Sequence, residues 1–160
     1  MKNLNEEKMM ADKKIGGAGL RGQSAGETKL CTVGQSGSGL TYCGYDIADL
    51  AENSTFEEVA YLLFNGELPN QAQLDAYKSQ LKAMRDLPTA VKAALKLIPK
   101  DTHPMDVMRS GCSILGNIEP ENDFSEQNQA ANGLLAAFPA IMCYWYKFSH
   151  DGVEIDCMTD

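Results

Sequence analysis

The chain has 160 residues, which is enough to bury the core of one compact domain. Its hydrophobic fraction of 44% and charged fraction of 22% exclude a disordered or fibrous chain. A formal net charge of -8 argues against a surface for nucleic acid, because such surfaces are built from clustered Lys and Arg. Composition therefore predicts a soluble globular protein that does not bind nucleic acid.

The sequence contains neither a membrane-span pattern nor a secretory-signal pattern. Its longest strongly apolar stretch, residues 134–146, is too short to cross a bilayer, and the first ten residues are charged. We expect a cytoplasmic protein with no membrane partner. The five cysteines are odd in number and widely spaced, so we expect reduced, mostly buried thiols rather than disulfides or a zinc site.

The amino-terminal region consists of a polar segment followed by two β-prone pieces. Residues 1–14 are polar and without periodicity, which predicts a flexible tail. Two β-prone pieces, residues 29–33 and 40–42, predict a β-hairpin that packs on its own fold or on a partner subunit. Residues 35–39 between them resemble a phosphate-binding loop, but Leu40 follows where that loop requires Lys. We interpret the segment as a plain hairpin turn.

After Tyr45 the hydrophobic pattern has the period of an α-helix. Proline, glycine and capping residues mark most of the helix ends, including capping boxes at Thr55 with Glu58 and at Asn70 with Gln73. We expect the last helix to be the most buried and to be kinked or broken at a proline in its interior. The predicted helices cover residues 46–51, 56–65, 71–85, 89–98, 104–115 and 126–150, the last with Pro139 inside it.

Four sequence strings carry a resemblance to a known family. The chain resembles the citrate synthases, and in detail the bacterial 2-methylcitrate synthases, over about residues 19–160 and in the family's order. The strings are Leu30-Cys-Thr-Val-Gly34 with Gly39-Leu-Thr-Tyr-Cys-Gly-Tyr-Asp-Ile47, Phe56-Glu-Glu-Val-Ala-Tyr-Leu-Leu63 before Gly66-Glu-Leu-Pro69, His103-Pro-Met-Asp-Val-Met-Arg109, and Tyr144-Trp-Tyr-Lys-Phe-Ser-His150.

The resemblance implies a mainly α fold, in which residues 15–160 form the amino-terminal part of a multi-helical large domain with a β-hairpin arm. It also implies a homodimeric enzyme that condenses propionyl-CoA or acetyl-CoA with oxaloacetate and needs no metal or other cofactor. The family's two catalytic histidines and its aspartate are expected beyond residue 160. We therefore expect a truncated chain that has no catalytic residue and is inactive alone. A non-catalytic dimerisation or interaction module, and one half of a split synthase, remain alternatives.

The two histidines and three arginines of the sequence are candidate site residues. His103 stands at a helix start and His150 at a helix end, so we expect structural rather than catalytic roles for both. Because both family substrates are anions, Arg21, Arg85 and Arg109 are candidate substrate ligands. Arg85 is the best candidate for substrate binding, with capping of a helix C-terminus as its alternative.

Two residues depart from the family pattern. The family usually has Arg at the position of Cys43 and a helix-compatible residue at the position of Pro139. A thiol cannot replace a guanidinium fork, so we expect a weakened local structure near Cys43. No histidine is its neighbour in sequence, so we interpret it as a passive thiol and not a nucleophile. Two methionines and an aromatic run are predicted to pack in the core or in a dimer: Met105, Met108, Tyr144, Trp145 and Tyr146.

Overall fold

The computed structural model describes residues 26–33 and 39–158, most of which are helical. The predicted tail at residues 1–14, most of the predicted hairpin turn and Arg21 lie outside the described residues. Within them the elements are β1 (Cys31–Thr32), β2 (Thr41–Tyr42), β3 (Tyr45–Asp46), α1 (Ile47–Asn53), α2 (Phe56–Asn65), α3 (Gln71–Ala83), α4 (Thr89–Leu95), α5 (Pro104–Ile118), a 3₁₀ turn (Phe124–Glu126) and α6 (Gln127–Asp151).

The small sheet has one strand more than the sequence predicted. β1 pairs antiparallel with β2, which places Cys31 opposite Tyr42 and confirms the predicted hairpin. β2 also pairs antiparallel with β3, so that Tyr42 lies opposite Tyr45. The prediction that a helix begins at Asp46 is wrong, because Asp46 ends β3 and its carboxylate accepts the N–H of Ala48 as the N-cap of α1. The backbone of Asp46 belongs to the strand, and its short polar side chain caps the helix.

Cys43 and Gly44 form the two-residue turn between β2 and β3. Their φ angles of 48° and 90° are both positive, as in the type I′ turns that join antiparallel strands. Positive φ is unfavourable for any residue with a Cβ atom, so Cys43 is held there by its surroundings. Its thiol contacts the carbonyl oxygen of Leu62 at 3.7 Å, which links the turn to α2.

Local signals set the ends of α2 and α3 as predicted. Thr55 and Glu58 form a capping box at the start of α2, and Asn70 with Gln73 does the same for α3. Gly66 ends α2 in the left-handed conformation at a φ of 82°. Each of these ends depends on atoms within four residues, which is why the sequence alone predicts them.

The later helices differ from the predicted spans at their ends. α3 ends at Ala83, two residues before the predicted end, and α5 continues to Ile118. α6 runs through Pro139 without a break, so the predicted break is wrong, whereas the alternative of a kink stays a prediction. Pro139 is exposed whereas Ala140 and Ile141 beside it are buried, so the packed face holds the helix across the missing N–H. None of the described helices combines the length and apolarity needed to cross a membrane.

The core lies on both sides of α6. α6 contributes seven buried residues, more than any other described helix, which confirms the predicted burial. On one side it packs against α2 and α3 through a small cluster, and on the other α4, α5 and the chain end form the main cluster. The main cluster contains Leu87, Val91, Leu95, Val107, Leu115, Ala137, Ala140, Ile141, Tyr144, Trp145 and Cys157.

The thiols are unbridged, as predicted, but most of them are not buried. Only Cys157 is buried, Cys143 is exposed, and Cys31, Cys43 and Cys112 are half-buried. The prediction of mostly buried cysteines is wrong because Cys31 and Cys43 belong to the small sheet, away from the core, and Cys143 lies on the outward face of α6.

α5 and α6 lie close together at a glycine. Gly111 is buried, and a Cβ atom added to it would lie 2.7 Å from Cγ2 and 3.0 Å from Cδ1 of Ile141. Ile141 is itself fully buried, so a shift of its side chain would disturb other contacts of the core. Gly116 lies in the same helix, but nothing lies within 4 Å of a Cβ atom at that position.

We predict opposite effects on stability at these two glycines. Gly111→Ala should lower the free energy of unfolding by about 1–3 kcal/mol, because overpacking against Ile141 outweighs the gain in helix propensity. Gly116→Ala should raise it by up to about 1 kcal/mol, because only the propensity changes. Urea denaturation followed by circular dichroism measures both, and stabilisation by Gly111→Ala would contradict the close contact.

One buried hydrogen bond joins α3 to α6. The phenol of Tyr77 donates to Oδ1 of Asn132 at 2.8 Å, and both residues are buried. Burial raises the pKa of Tyr77, and the nearby Glu57 carboxylate raises it further. Tyr61 packs edge-on against the Tyr77 ring, with the ring centroids 5.5 Å apart, which fixes the ring that carries the phenol.

Removal of one partner of this hydrogen bond should lower the free energy of unfolding more than removal of both partners. We predict that Tyr77→Phe lowers the free energy of unfolding by about 1–2 kcal/mol, because the Asn132 amide loses its buried partner. In Tyr77→Phe with Asn132→Leu no polar group is left unpaired, so part of the loss should be regained. Urea denaturation of both variants checks this, and a double variant no more stable than Tyr77→Phe would show that the unpaired amide is not the cause.

Candidate functional site

An acidic groove lies between the ends of α3 and α5 and the start of α6. It has a volume of about 710 Å³ and an apolar floor that includes Leu115 and Leu134. No Lys, Arg or His is among the residues that line it. This charge pattern disfavours an anionic ligand. The acidic residues on its rim are Asp86, Glu119, Glu121 and Glu126.

A second groove, here called the thiol groove, lies among α2, α3, α6 and the C-terminal segment, residues 152–158. It has a volume of about 550 Å³ and is lined in part by Cys143 and Cys157. Arg85 is the one cation in its lining, alongside the carboxylates of Glu57 and Asp156. One guanidinium beside two carboxylates gives no net positive charge for an anionic substrate.

Arg85, the predicted substrate ligand, is half-buried in the wall of the thiol groove. It follows the C-terminus of α3, where its backbone N–H donates to the carbonyl oxygen of Lys82 at 3.3 Å. Its binding of a substrate stays a prediction. Arg109 is mostly exposed on α5 and pairs with Asp106 at 3.2 Å, so this guanidinium contacts a carboxylate of its own helix.

Both histidines have structural contacts. His103 is the N-cap of α5, where Nδ1 accepts the N–H of Met105 at 3.2 Å, which confirms the predicted capping role. His150 lies in the last turn of α6 and stacks on Tyr146, with the ring centroids 4.2 Å apart. Neither histidine lines the acidic groove or the thiol groove. Among the residues that the structure describes, no three His, Cys, Asp or Glu side chains are grouped to hold a metal ion.

The aromatic run at the end of α6 divides between core and surface. Tyr144 and Trp145 are buried as predicted, and the indole N–H of Trp145 donates to the carbonyl oxygen of Ile98 at 3.3 Å. Tyr146 and Met105 are 52% and 68% exposed, so neither is a core residue. They lie on the outward faces of α6 and α5, where the helical period places them.

Glu154 connects the C-terminal segment to two helices, a role that the sequence analysis missed. The buried phenol of Tyr144 donates to its Oε2 at 2.9 Å, and the ammonium of Lys96 donates to its Oε1. The hydrogen bond from Lys96 lowers the pKa of Glu154 and that from Tyr144 lowers it further, while the same carboxylate raises the pKa of Lys96. Burial is the main cause of the raised pKa of Tyr144. The feature of the sequence that could have indicated this role is Tyr144, because the hydroxyl of a buried tyrosine usually has a hydrogen-bond partner.

We predict that acid weakens this connection. Because the pKa of Glu154 is lowered in the folded state, its contribution is present above the ordinary pKa of about 4.3 and is lost as the pH falls through the folded-state pKa. The thermal unfolding midpoint should therefore fall between about pH 6 and pH 3, and it should fall less steeply in Glu154→Gln. Lys96→Gln is the matched variant, because it removes the first cause of the lowered pKa. An unchanged pH slope in both variants would refute the assignment.

Comparison with known proteins gives the family context of this geometry. Residues 19–159 match the family described as citrate synthase, C-terminal domain. The chain is 71% identical to a 2-methylcitrate synthase of Shewanella oneidensis over 92% of its own length and 40% of that protein. It is 37% identical to a 2-methylcitrate synthase of Mycobacterium tuberculosis over 78% of its length and 32% of that protein.

Solved structures give the same relationship. The fold is similar to the crystal structure of citrate synthase from Thermotoga maritima, with a TM-score of 0.75 and 32% identity. The alignment covers 86% of this chain and 36% of the Thermotoga chain. This chain thus spans 40% or less of the length of each relative named here. The predicted mainly α, citrate synthase-like fold is confirmed.

Proposed function

Because this chain belongs to the citrate synthase family, we propose that it supplies the amino-terminal helical part of a 2-methylcitrate synthase. Such an enzyme condenses propionyl-CoA, or less favourably acetyl-CoA, with oxaloacetate and water to give 2-methylcitrate or citrate and free CoA. The observation that carries the proposal is the 71% identity to the Shewanella 2-methylcitrate synthase over 92% of this chain. The proposed setting is propionate metabolism in the cytoplasm.

The residues of this chain act as a scaffold in the proposal, and the chemistry comes from the rest of the enzyme. Condensation needs a base that removes a proton next to the thioester and a donor that polarises the ketone, each within hydrogen-bond reach. The ring of His103 is engaged as a helix cap and that of His150 in stacking on Tyr146. Both substrates are anions, and neither groove has a lining with net positive charge. We therefore place the catalytic groups and most substrate ligands outside this chain.

The proposal is tested by supplying the missing part. We predict that the purified chain, given oxaloacetate and propionyl-CoA, releases free CoA thiol no faster than a blank. Addition of the separately purified remainder of the Shewanella relative, the 60% that this chain does not span, should restore thiol release. The control is that remainder alone, which lacks the scaffold.

Two results would refute the proposal. Thiol release by this chain alone would show that it contains its own catalytic groups. A failure of the mixture to gain activity, although the two parts bind each other in gel filtration, would show that this chain is not the missing scaffold.

A non-catalytic interaction module is the second candidate, and exposed apolar side chains favour it. Leu97 and Phe124 are 85% and 81% exposed, while Phe138 and Tyr146 lie on the outward side of α6. Uncovered apolar groups of this kind are typical of surfaces that another subunit or domain covers. Homodimer formation is part of this proposal. Light scattering over a range of concentrations tests it, and a monomer at every concentration would rule out self-association.

A further inference from the structure

Two cysteines from separate parts of the chain meet at the thiol groove. Cys143 is exposed on the outward face of α6, whereas Cys157 is 8% exposed and belongs to the main core. Both line the groove, next to Ala140 and Ile155. Cys112, in contrast, lines the acidic groove. The thiol groove therefore combines an accessible sulfur with a protected one.

The path of the C-terminal segment brings the two cysteines toward each other. Its first contact is made by the N–H of Val153, which donates to the carbonyl oxygen of Lys147 at 3.3 Å. Its next contact is Glu154, which accepts from the phenol of Tyr144 at 2.9 Å. The later residue of the segment thus contacts the residue of α6 that lies nearer to the N-terminus of that helix. The segment continues in this direction, so that Cys157, three residues after Glu154, lines the same groove as Cys143 and Ala140.

The two thiols have different environments. Burial raises the pKa of Cys157, the ammonium of Lys92 opposes this rise, and Asp86, Asp156 and Cys143 add to it. The influence of Cys143 is electrostatic, because a negative charge on Cys143 disfavours a second one on Cys157. Because a buried thiol with a raised pKa reacts slowly with oxidants, the exposed Cys143 is the sulfur that an oxidant reaches first.

The geometry points to Cys143 and Cys157 as a redox pair that a peroxide converts into an intramolecular disulfide. In the first step the Cys143 thiolate attacks a peroxide oxygen, the O–O bond breaks, and a sulfenic acid and hydroxide form. In the second step Cys157 sulfur attacks the Cys143 sulfur, an S–S bond forms and water leaves. The two thiols lose two hydrogens in total, and one hydrogen peroxide becomes two waters. This inference is independent of the proposed function.

Formation of the bridge fastens the C-terminal segment to α6. A disulfide requires the two Cα atoms to lie within about 7 Å, so the bridge forms only if Cys157 stays beside α6. The hydrogen bonds of Glu154 to Tyr144 and Lys96 hold the segment in that place before oxidation. Oxidation therefore adds a covalent link to the noncovalent attachment of the segment to α6.

Peptide mapping tests the pair in the full chain. The reduced protein is treated with a slight molar excess of hydrogen peroxide at low protein concentration, and remaining thiols are alkylated in denaturant before digestion. We expect a linked peptide that contains Cys143 and Cys157, lighter than its two parts by two hydrogen atoms, in a protein that migrates as a single chain on a non-reducing denaturing gel. Reduction of the disulfide with dithiothreitol should restore both free thiols.

Two serine variants separate the pair from general oxidation. Cys143→Ser changes an exposed side chain and should slow the loss of the free Cys157 thiol about tenfold or more, because burial protects Cys157 from peroxide. Cys112→Ser is the matched control and should leave the linked peptide unchanged, because Cys112 lines the other groove. The inference is overturned if Cys143 is oxidised while Cys157 stays fully alkylatable, or if Cys143 instead bridges two chains.

Discussion

The packing of α5 on α6 at Gly111 is the constraint on which the rest of the fold depends. A side chain at this position would collide with Ile141, so the two helices lie at a separation that only glycine permits. Val107 and Leu115, about one turn to either side of Gly111, are buried in the same core cluster as Ile141. α4 and the C-terminal segment pack on that cluster as well, so a wider separation would expose the contacts of both.

The sequence predicted those features of the fold that depend on neighbouring residues. The capping boxes at Thr55 and Asn70 are made within four residues, and the cap at His103 within two. The continuation of α6 through Pro139 could not be predicted, because distant helices that bury Ala140 and Ile141 maintain it. The third strand was missed because Asp46 serves both as a strand residue and as a helix cap.

The candidate site was less predictable than the fold. Arg85 was selected for its charge, but its value as an anion ligand depends on Glu57 and Asp156, which reach the same groove from distant parts of the chain. Local sequence patterns do not report such neighbours. The same reason applies to Lys96, whose partner Glu154 is 58 residues away in sequence. For these groups the tertiary fold, and not the local pattern, determines which charges meet.

The C-terminal segment is the part of the structure where these long-range contacts converge. A hydrogen bond and an ion pair hold Glu154, and burial in the main core holds Cys157. Protonation of Glu154 removes the charge that Lys96 recognises and weakens the attachment of the segment to α6. Oxidation of the thiol pair would have the opposite effect, because a covalent bond replaces a contact that the carboxylate helps to maintain. Acid should therefore reduce the yield of the disulfide by a structural route, because it loosens the segment that holds Cys157 beside α6.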